Sequence, residues 1–205
     1  MSMIRHSRAF SVVELVIIIV VIGILATITL VAYPQVQSYA KDQKIKEGAS
    51  KIAKATEEWA IRKGATVSNL DSEISTWGYG SSGSTVIDAK GLARCQGGNG
   101  SYSWVATNNS SHACTLEDVL VNSKYLPARY LEQLPTNPSS NKVDELYRTV
   151  KCYNSPKYYA LLFALNAPTS DDNDEYSRIA TMCNINSNEK NVRGMRGALL
   201  IRMVE

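Results

Sequence analysis

Apolar residues crowd the first forty positions of the chain and afterwards settle into sparser rhythms. Residues 15–33 read Leu-Val-Ile-Ile-Ile-Val-Val-Ile-Gly-Ile-Leu-Ala-Thr-Ile-Thr-Leu-Val-Ala-Tyr, nineteen positions, and no Asp, Glu, Lys or Arg occurs from residue 15 to residue 40. That run is long enough to cross the hydrocarbon core of a bilayer as a helix. Past Pro34 the pattern changes: Ala49, Ile52, Ala53, Thr56, Trp59 and Ala60 fall at three- and four-residue spacing, the single stripe of an amphipathic helix that needs a covering surface. Arg62 and Lys63 suit the negative end of the helix dipole, and Gly64 suits the left-handed position that closes a helix. One helix over residues 10–63 would be about 80 Å long at the helical rise, so its outer half must pack on a globular domain. Gly23, Pro34 and Gly48 are the candidate positions for a bend or local melting within it.

Residues 65–101 are rich in Ser, Gly and Thr and read as a long surface loop with one short strand near Val86 and Ile87. Residues 102–107 have strand composition, and Thr115-Leu116-Glu117-Asp118 is a capping-box pattern opening a short helix to about Tyr125. Residues 158–166, 176–183 and 197–204 are β-rich runs separated by polar turns, the spacing of an antiparallel sheet. A long amphipathic helix laid on that sheet closes the core, which makes the expected class α+β. The 205 residues suffice for one membrane helix and one head of ordinary size.

Charge sharpens the reading of the N-terminus. Glu14 is an isolated acid at the edge of the apolar run, where a carboxylate costs free energy unless a cation meets it. Arg5 and Arg8 lie outside the run, where cationic flanks hold an N-terminus in the cytoplasm. Neither residues 30–32 nor residues 37–40 supply the small-x-small site of a cleaved secretory signal, so the apolar segment is expected to be retained. Cleavage between Ala9 and Phe10 would instead remove both arginines and place a new amine four residues from Glu14. The formal net charge is +3, and loss of Arg5 and Arg8 leaves 20 basic against 19 acidic side chains, a balance that gives no sign of strong nucleic-acid binding.

The run Arg8-Ala9-Phe10-Ser11-Val12-Val13-Glu14-Leu15, followed by Val, Ile and Leu, resembles the processing site of type IV prepilins and type II secretion pseudopilins. The resemblance implies a leader over residues 1–9, a transmembrane and filament-core helix over 10–33, an amphipathic continuation over 34–64, and a pilin-like head over 65–205. It further implies cleavage by a prepilin peptidase between Ala9 and Phe10, N-methylation of Phe10, and a role in filament assembly for Glu14, paired with the Phe10 amine of an adjacent copy. The family more often has Gly where this chain has Ala9, and many members carry Pro at the position of Val31, whereas here the first proline is Pro34. The order Lys124-Tyr125-Leu126-Pro127 and then Leu134-Pro135-Thr136-Asn137-Pro138 is similar to the helix-then-proline connection of pilin and major pseudopilin heads. The implied function is a non-enzymatic, structural one: a subunit stored in the cytoplasmic membrane and polymerised with its own copies into an extracellular pilus-like filament. Besides itself, its implied partners are the peptidase, an assembly ATPase and a membrane platform. A pseudopilin or minor pilin of a secretion or DNA-uptake system shares every N-terminal feature, and a non-polymerising membrane-tethered adhesin is the alternative from another class.

The remaining candidates weigh less. Cys95, Cys114, Cys152 and Cys183 lie in the part expected outside the membrane, where disulfides form. Of three possible pairings, Cys95 with Cys114 and Cys152 with Cys183 each closes one local region, and without a close C-x-x-C pair a zinc site is not expected. Asp171, Asp172, Asn173, Asp174 and Glu175 read as an acidic loop between two β-rich runs. Its oxygens are a weak calcium candidate, chiefly Asp171, Asp172 and Asp174, and the resemblance to major pseudopilins strengthens it; the spacing is not that of an EF-hand. No other cofactor is expected. His6 leaves with the leader and His112 stands in a Ser/Asn-rich stretch, so no nucleophilic constellation is in sight. The tyrosines at 125, 130, 158 and 159 read as the edge of a core, and the sequons at Asn108 and Asn109 as a polar turn.

Overall fold

A single helix, α1, runs over Val12–Lys63, with Glu14 in its first turn and Arg62 and Lys63 in its last. The structure is a computed structural model and describes residues 11–64, 84–87, 89, 91–96, 102–105, 115–141, 145–152, 158–191 and 194–202. The chain divides into two compact units, Met1–Ala40 and Lys41–Glu205. The helix passes through Gly23, Pro34 and Gly48 without interruption, and Gly64 takes the left-handed conformation at φ 65°, as its capping role requires.

In the first unit the described side chains from Ser11 to Ile28 are all exposed, the large apolar ones between 47% at Val16 and 80% at Val12. By length and composition this helix is able to cross a membrane. An apolar surface of that extent requires cover by lipid or by protein.

In the second unit the stripe read from the sequence is the core-facing side of α1. Ile45, Ala49, Ile52, Ala53, Thr56, Trp59 and Ala60 are all buried, and Ala55 joins them. Each large side chain enclosed in this way contributes about 1.5–3 kcal/mol relative to exposure. The covering surface is a four-stranded antiparallel sheet in the order β3 (Tyr102–Trp104), β4 (Tyr147–Lys151), β5 (Tyr158–Ala164) and β6 (Met195–Arg202), and residues of β4, β5 and β6 share one hydrophobic cluster with the helix. The class is therefore α+β, a long N-terminal helix packed by its amphipathic part on an antiparallel sheet, consistent with a pilin-like fold. A separate hairpin pairs β1 (Ser84–Ile87) with β2 (Ala93–Gln96), so the stretch expected to be loop around one short strand holds two.

Short elements connect the strands. Helix α2 (Leu116–Asn122) begins with the expected capping box, Thr115 and Asp118 each accepting from the other's backbone N–H, and stops at Ser123, before the expected Tyr125. A 3-10 turn follows at Leu131–Gln133. Strand β4, not anticipated from the sequence, is paired on both edges, by β3 and by β5. Gly48 serves packing: a Cβ there would meet the Tyr147 hydroxyl and Leu134.

Residues 176–183, expected as a strand, are the C-terminal part of helix α3 (Ser170–Cys183). Local chemistry decides this. Thr169 and Asp172 form a second capping box, and the buried residues Tyr176, Ile179 and Cys183 recur at three- and four-residue spacing. Asn184 closes the helix at φ 53°, and the short α4 (Ser187–Asn191) leads into β6. The acidic run 171–175 is thus the start of a helix, not a loop between strands.

Candidate functional site

At the start of α1, Ser11 is the last residue before the helix and Glu14 its third position. The Ser11 N–H donates to Glu14 Oε2 at 2.9 Å, and the Val13 N–H donates to Ser11 Oγ at 3.3 Å. Two of the four N–H groups that a helix leaves without partners at its N-terminus gain acceptors in this way, and a carboxylate there also suits the positive end of the helix dipole. Glu14 therefore has a local partner within its own chain, which the sequence reading did not foresee. The signal was present: Ser11-Val12-Val13-Glu14 is a Ser-x-x-Glu pattern directly before an apolar run. Ala9 and Phe10, the expected processing residues, lie outside the described residues.

The second unit anchors its part of α1 to the head with a series of polar links. Asp42, only 2% exposed, accepts the Asn166 N–H and the Asn166 Nδ2 on Oδ1 and the Ala167 N–H on Oδ2, each at 2.8 Å. One buried carboxylate thereby satisfies the turn between β5 and α3. One turn of helix further on, the Tyr147 hydroxyl donates to the Ile45 carbonyl at 2.7 Å, and burial pushes that phenol well above its usual range. Lys46 meets Asp172 at 2.6 Å, the Asp172 carboxylate also accepting the N–H and hydroxyl of Thr169 at 2.9 and 2.8 Å. Partial burial pushes the Asp172 carboxyl up, but the hydrogen bond from Lys46 and those from Thr169 outweigh it and hold the group below its ordinary value. Near the other end of the helix, Glu57 accepts the Arg202 N–H at 2.9 Å.

Cys152 and Cys183 form a disulfide that ties the end of β4 to the last residue of α3, and both are fully buried. Cys95 lies on β2 opposite Thr85, while Cys114 and the proposed bridge between Cys95 and Cys114 fall outside the described residues. His6, His112 and the sequons at 108 and 109 are outside them too.

The structure does not bring the weak calcium candidates together. Asp171, Asp172 and Asp174 stand at the start of α3, where Asp171 and Asp174 share a face and Asp172 is turned away from it by about 100° and 200° respectively. Asp172 is committed to Thr169 and Lys46, and Glu175 to a two-pronged pair with Arg178 at 2.8 and 2.6 Å that lowers its pKa. Among the described residues no group of three or more His, Cys, Asp and Glu is placed to hold a metal ion.

Between α1 and α3 lies a cavity of about 210 Å³, with Phe163 and Leu199 of the sheet among its walls and Lys46, Ser50, Asp172 and Glu175 from the two helices. Gly197 also lines it, and a Cβ at that position would strike the Phe163 ring, so the glycine lets β5 and β6 pack at this point. No protein-family model, curated protein or solved structure matches the chain.

Proposed function

We propose that the chain is the structural subunit of an extracellular type IV pilus-like filament, made as a membrane-anchored prepilin, cleaved before Phe10 and polymerised through its N-terminal helix. The observation that carries this reading is the start of α1: a lone carboxylate, Glu14, in the first turn of a helix whose described apolar side chains all lie uncovered up to Ile28. Such a helix is stable in lipid, and it is equally stable when enough copies of itself surround it. In the bundle, Glu14 of one copy neutralises the methylated amine of Phe10 on the next, and a misregistered copy leaves a buried charge unpaired. The amine exists only after the leader is removed, so processing gates assembly.

The head supports the reading in a second way. Its polar anchors to α1 through Asp42, Tyr147 and Lys46 hold the helix to the sheet while the apolar part changes environment. A prepilin peptidase, an assembly ATPase and a membrane platform follow from the resemblance, because lifting an apolar helix out of lipid requires work. No part of this role calls for catalysis.

The test is mass spectrometry of filaments sheared from the native cell. The expected result is abundant chain beginning at N-methylated Phe10. Chain that still begins at Met1 and fractionates only with membranes would overturn the reading in favour of a simple tether, and mature chain confined to trace amounts beneath another major subunit would assign it to the minor pilins.

A further inference from the structure

Two patches of opposite charge lie on different sides of the second unit, a basic one on α1 and an acidic one on α3. Lys41 and Lys44 are exposed and three residues apart, hence on one face, where two cations repel each other. Neither has an ion-pair partner among the described residues. Lys44 stands two residues before Lys46, so the helical rotation turns it about 200° away from the side that meets α3. On that other side, Asp171 and Asp174 are exposed at the start of α3, also without ion-pair partners among the described residues. The cavity of about 210 Å³ is lined from the same helix by Asp172 and Glu175, so Asp171 and Asp174 lie on the solvent side of α3, outside it.

We infer that a second copy of this chain docks by its Lys41–Lys44 turn against the Asp171–Asp174 face of the first. Opposite charges on the two patches steer the approach and fix the register, and docking relieves the repulsion between the paired lysines. The two patches are different and face different ways, so the contact is heterologous: each copy that docks presents a fresh acidic face or a fresh basic turn. Contacts of that kind close into rings or propagate as open helical filaments. The inference rests on the filament reading and supplies it with a contact between heads, separate from the one assigned to Glu14.

The experiment uses sheared filaments assembled from mixed light and isotopically heavy chains and treated with a carbodiimide, which joins a lysine to a carboxylate only where the two touch. Lys46 coupled to Asp172 within one chain is the internal control, since those groups are 2.6 Å apart. The expected result is coupling of Lys41 or Lys44 to Asp171 or Asp174 between a light and a heavy chain. In parallel, Lys44→Glu and Asp174→Lys are each expected to lower filament yield at least tenfold at unchanged membrane levels of mature chain, and the double variant to recover most of it. Wild-type yield in both single variants overturns the inference, as do couplings confined to single chains. Unchanged filament yield from Lys44→Glu with weakened binding of the full chain to anionic vesicles overturns it too, by placing the lysines at lipid headgroups. A wild-type chain that forms no filament overturns the filament reading itself, and the docking with it.

Discussion

Replacing Glu14 by Gln separates two roles that a larger truncation confounds. In the structure the Glu14 carboxylate accepts the Ser11 N–H at 2.9 Å, and a glutamine amide oxygen accepts the same bond. The local worth of such a cap, about 1 kcal/mol, is therefore largely kept in Glu14→Gln and lost in Glu14→Val. What Glu14→Gln removes is the charge. If Glu14 meets the Phe10 amine of a neighbour inside a helical bundle, its neutralisation leaves that amine buried without a counter-ion, at a cost of about 3–5 kcal/mol. At 1.4 kcal/mol per decade this lowers the association constant of each incoming copy by about two to nearly four orders of magnitude.

The assay is the yield of sheared filaments per mature chain in the membrane, with N-terminal masses measured on the membrane pool. Both variants should be processed and inserted normally, and both should give almost no filament. Should Glu14→Gln polymerise as the wild type does while Glu14→Val fails, the residue would be a helix cap only, and the charge argument would be refuted.

Four further outcomes are expected. Ala9→Leu should leave the leader attached, because a bulky residue occupies the last position before the scissile bond; a mature N-terminus at Phe10 in that variant would show the cleavage assignment wrong. Replacing Cys152 and Cys183 together by Ser releases a bridge spanning 31 residues and should cost roughly 3–4 kcal/mol in urea unfolding of the detergent-solubilised chain, with α3 the first element to lose amide-exchange protection. Asp42→Ala leaves two backbone N–H groups and the Asn166 amide without their acceptor and should cost about 2–4 kcal/mol by the same measurement; a loss under 0.5 kcal/mol would mean that water replaces the carboxylate at no cost. Because the folded-state pKa of Asp172 lies below the ordinary 3.8, its ionised form stabilises the fold above that pH, and the contribution fades as pH falls through the lower folded value. Stability of the wild type should accordingly drop more steeply below about pH 3.8 than that of Asp172→Asn, and parallel profiles would count against the Lys46 pairing.

What was legible in the sequence was whatever rests on apolar periodicity or on a local cap. The stripe from Ala49 to Ala60 predicted the buried face of α1 because an amphipathic helix announces its orientation every three or four residues. Thr115 announced α2 by the same local logic. Residues 176–183 misled because Tyr, Ile, Thr and Cys suit strands by composition, while the cap that decides for a helix sits upstream at Thr169 and Asp172, inside a run that reads as acidic loop. Strand β4 escaped notice since Arg148 and Lys151 interrupt its apolar character; it is nevertheless central, with Arg148 only 7% exposed. Asp42 and Lys46 were missed for a related reason. Asp42 lies seven residues before Ala49 and eleven before Ala53, in line with the apolar stripe. An acid in that register is either a fault or a buried acceptor, and only the turn at Asn166 and Ala167, distant in sequence, tells which. Long-range polar pairing leaves no periodic trace.

The same distinction between apolar and polar terms bears on what would drive assembly. Lipid tails are about as apolar as Val, Ile and Leu, so a helix leaving the bilayer for a bundle of like helices exchanges one apolar neighbour for another and gains little by the hydrophobic effect. The uncovered face from Val12 to Ile28 therefore makes the two environments nearly equivalent without choosing between them. Direction must come from terms that differ between the two states. On the proposed filament reading, one would be the pairing of Glu14 with an amine that exists only after processing; another would be the inferred charged contact between heads, of Lys41 and Lys44 with Asp171 and Asp174. The apolar terms balance and the polar ones do not, so a few kcal/mol at either place suffice to tip the equilibrium, and external work is needed mainly to overcome the barrier of extraction. Raised salt should then weaken the head contact, which faces water, far more than the pairing at Glu14, which the surrounding helices shield. Filaments that loosen between heads at high salt while remaining continuous along their core would match that division, and filaments that fall apart at once into single chains would contradict it.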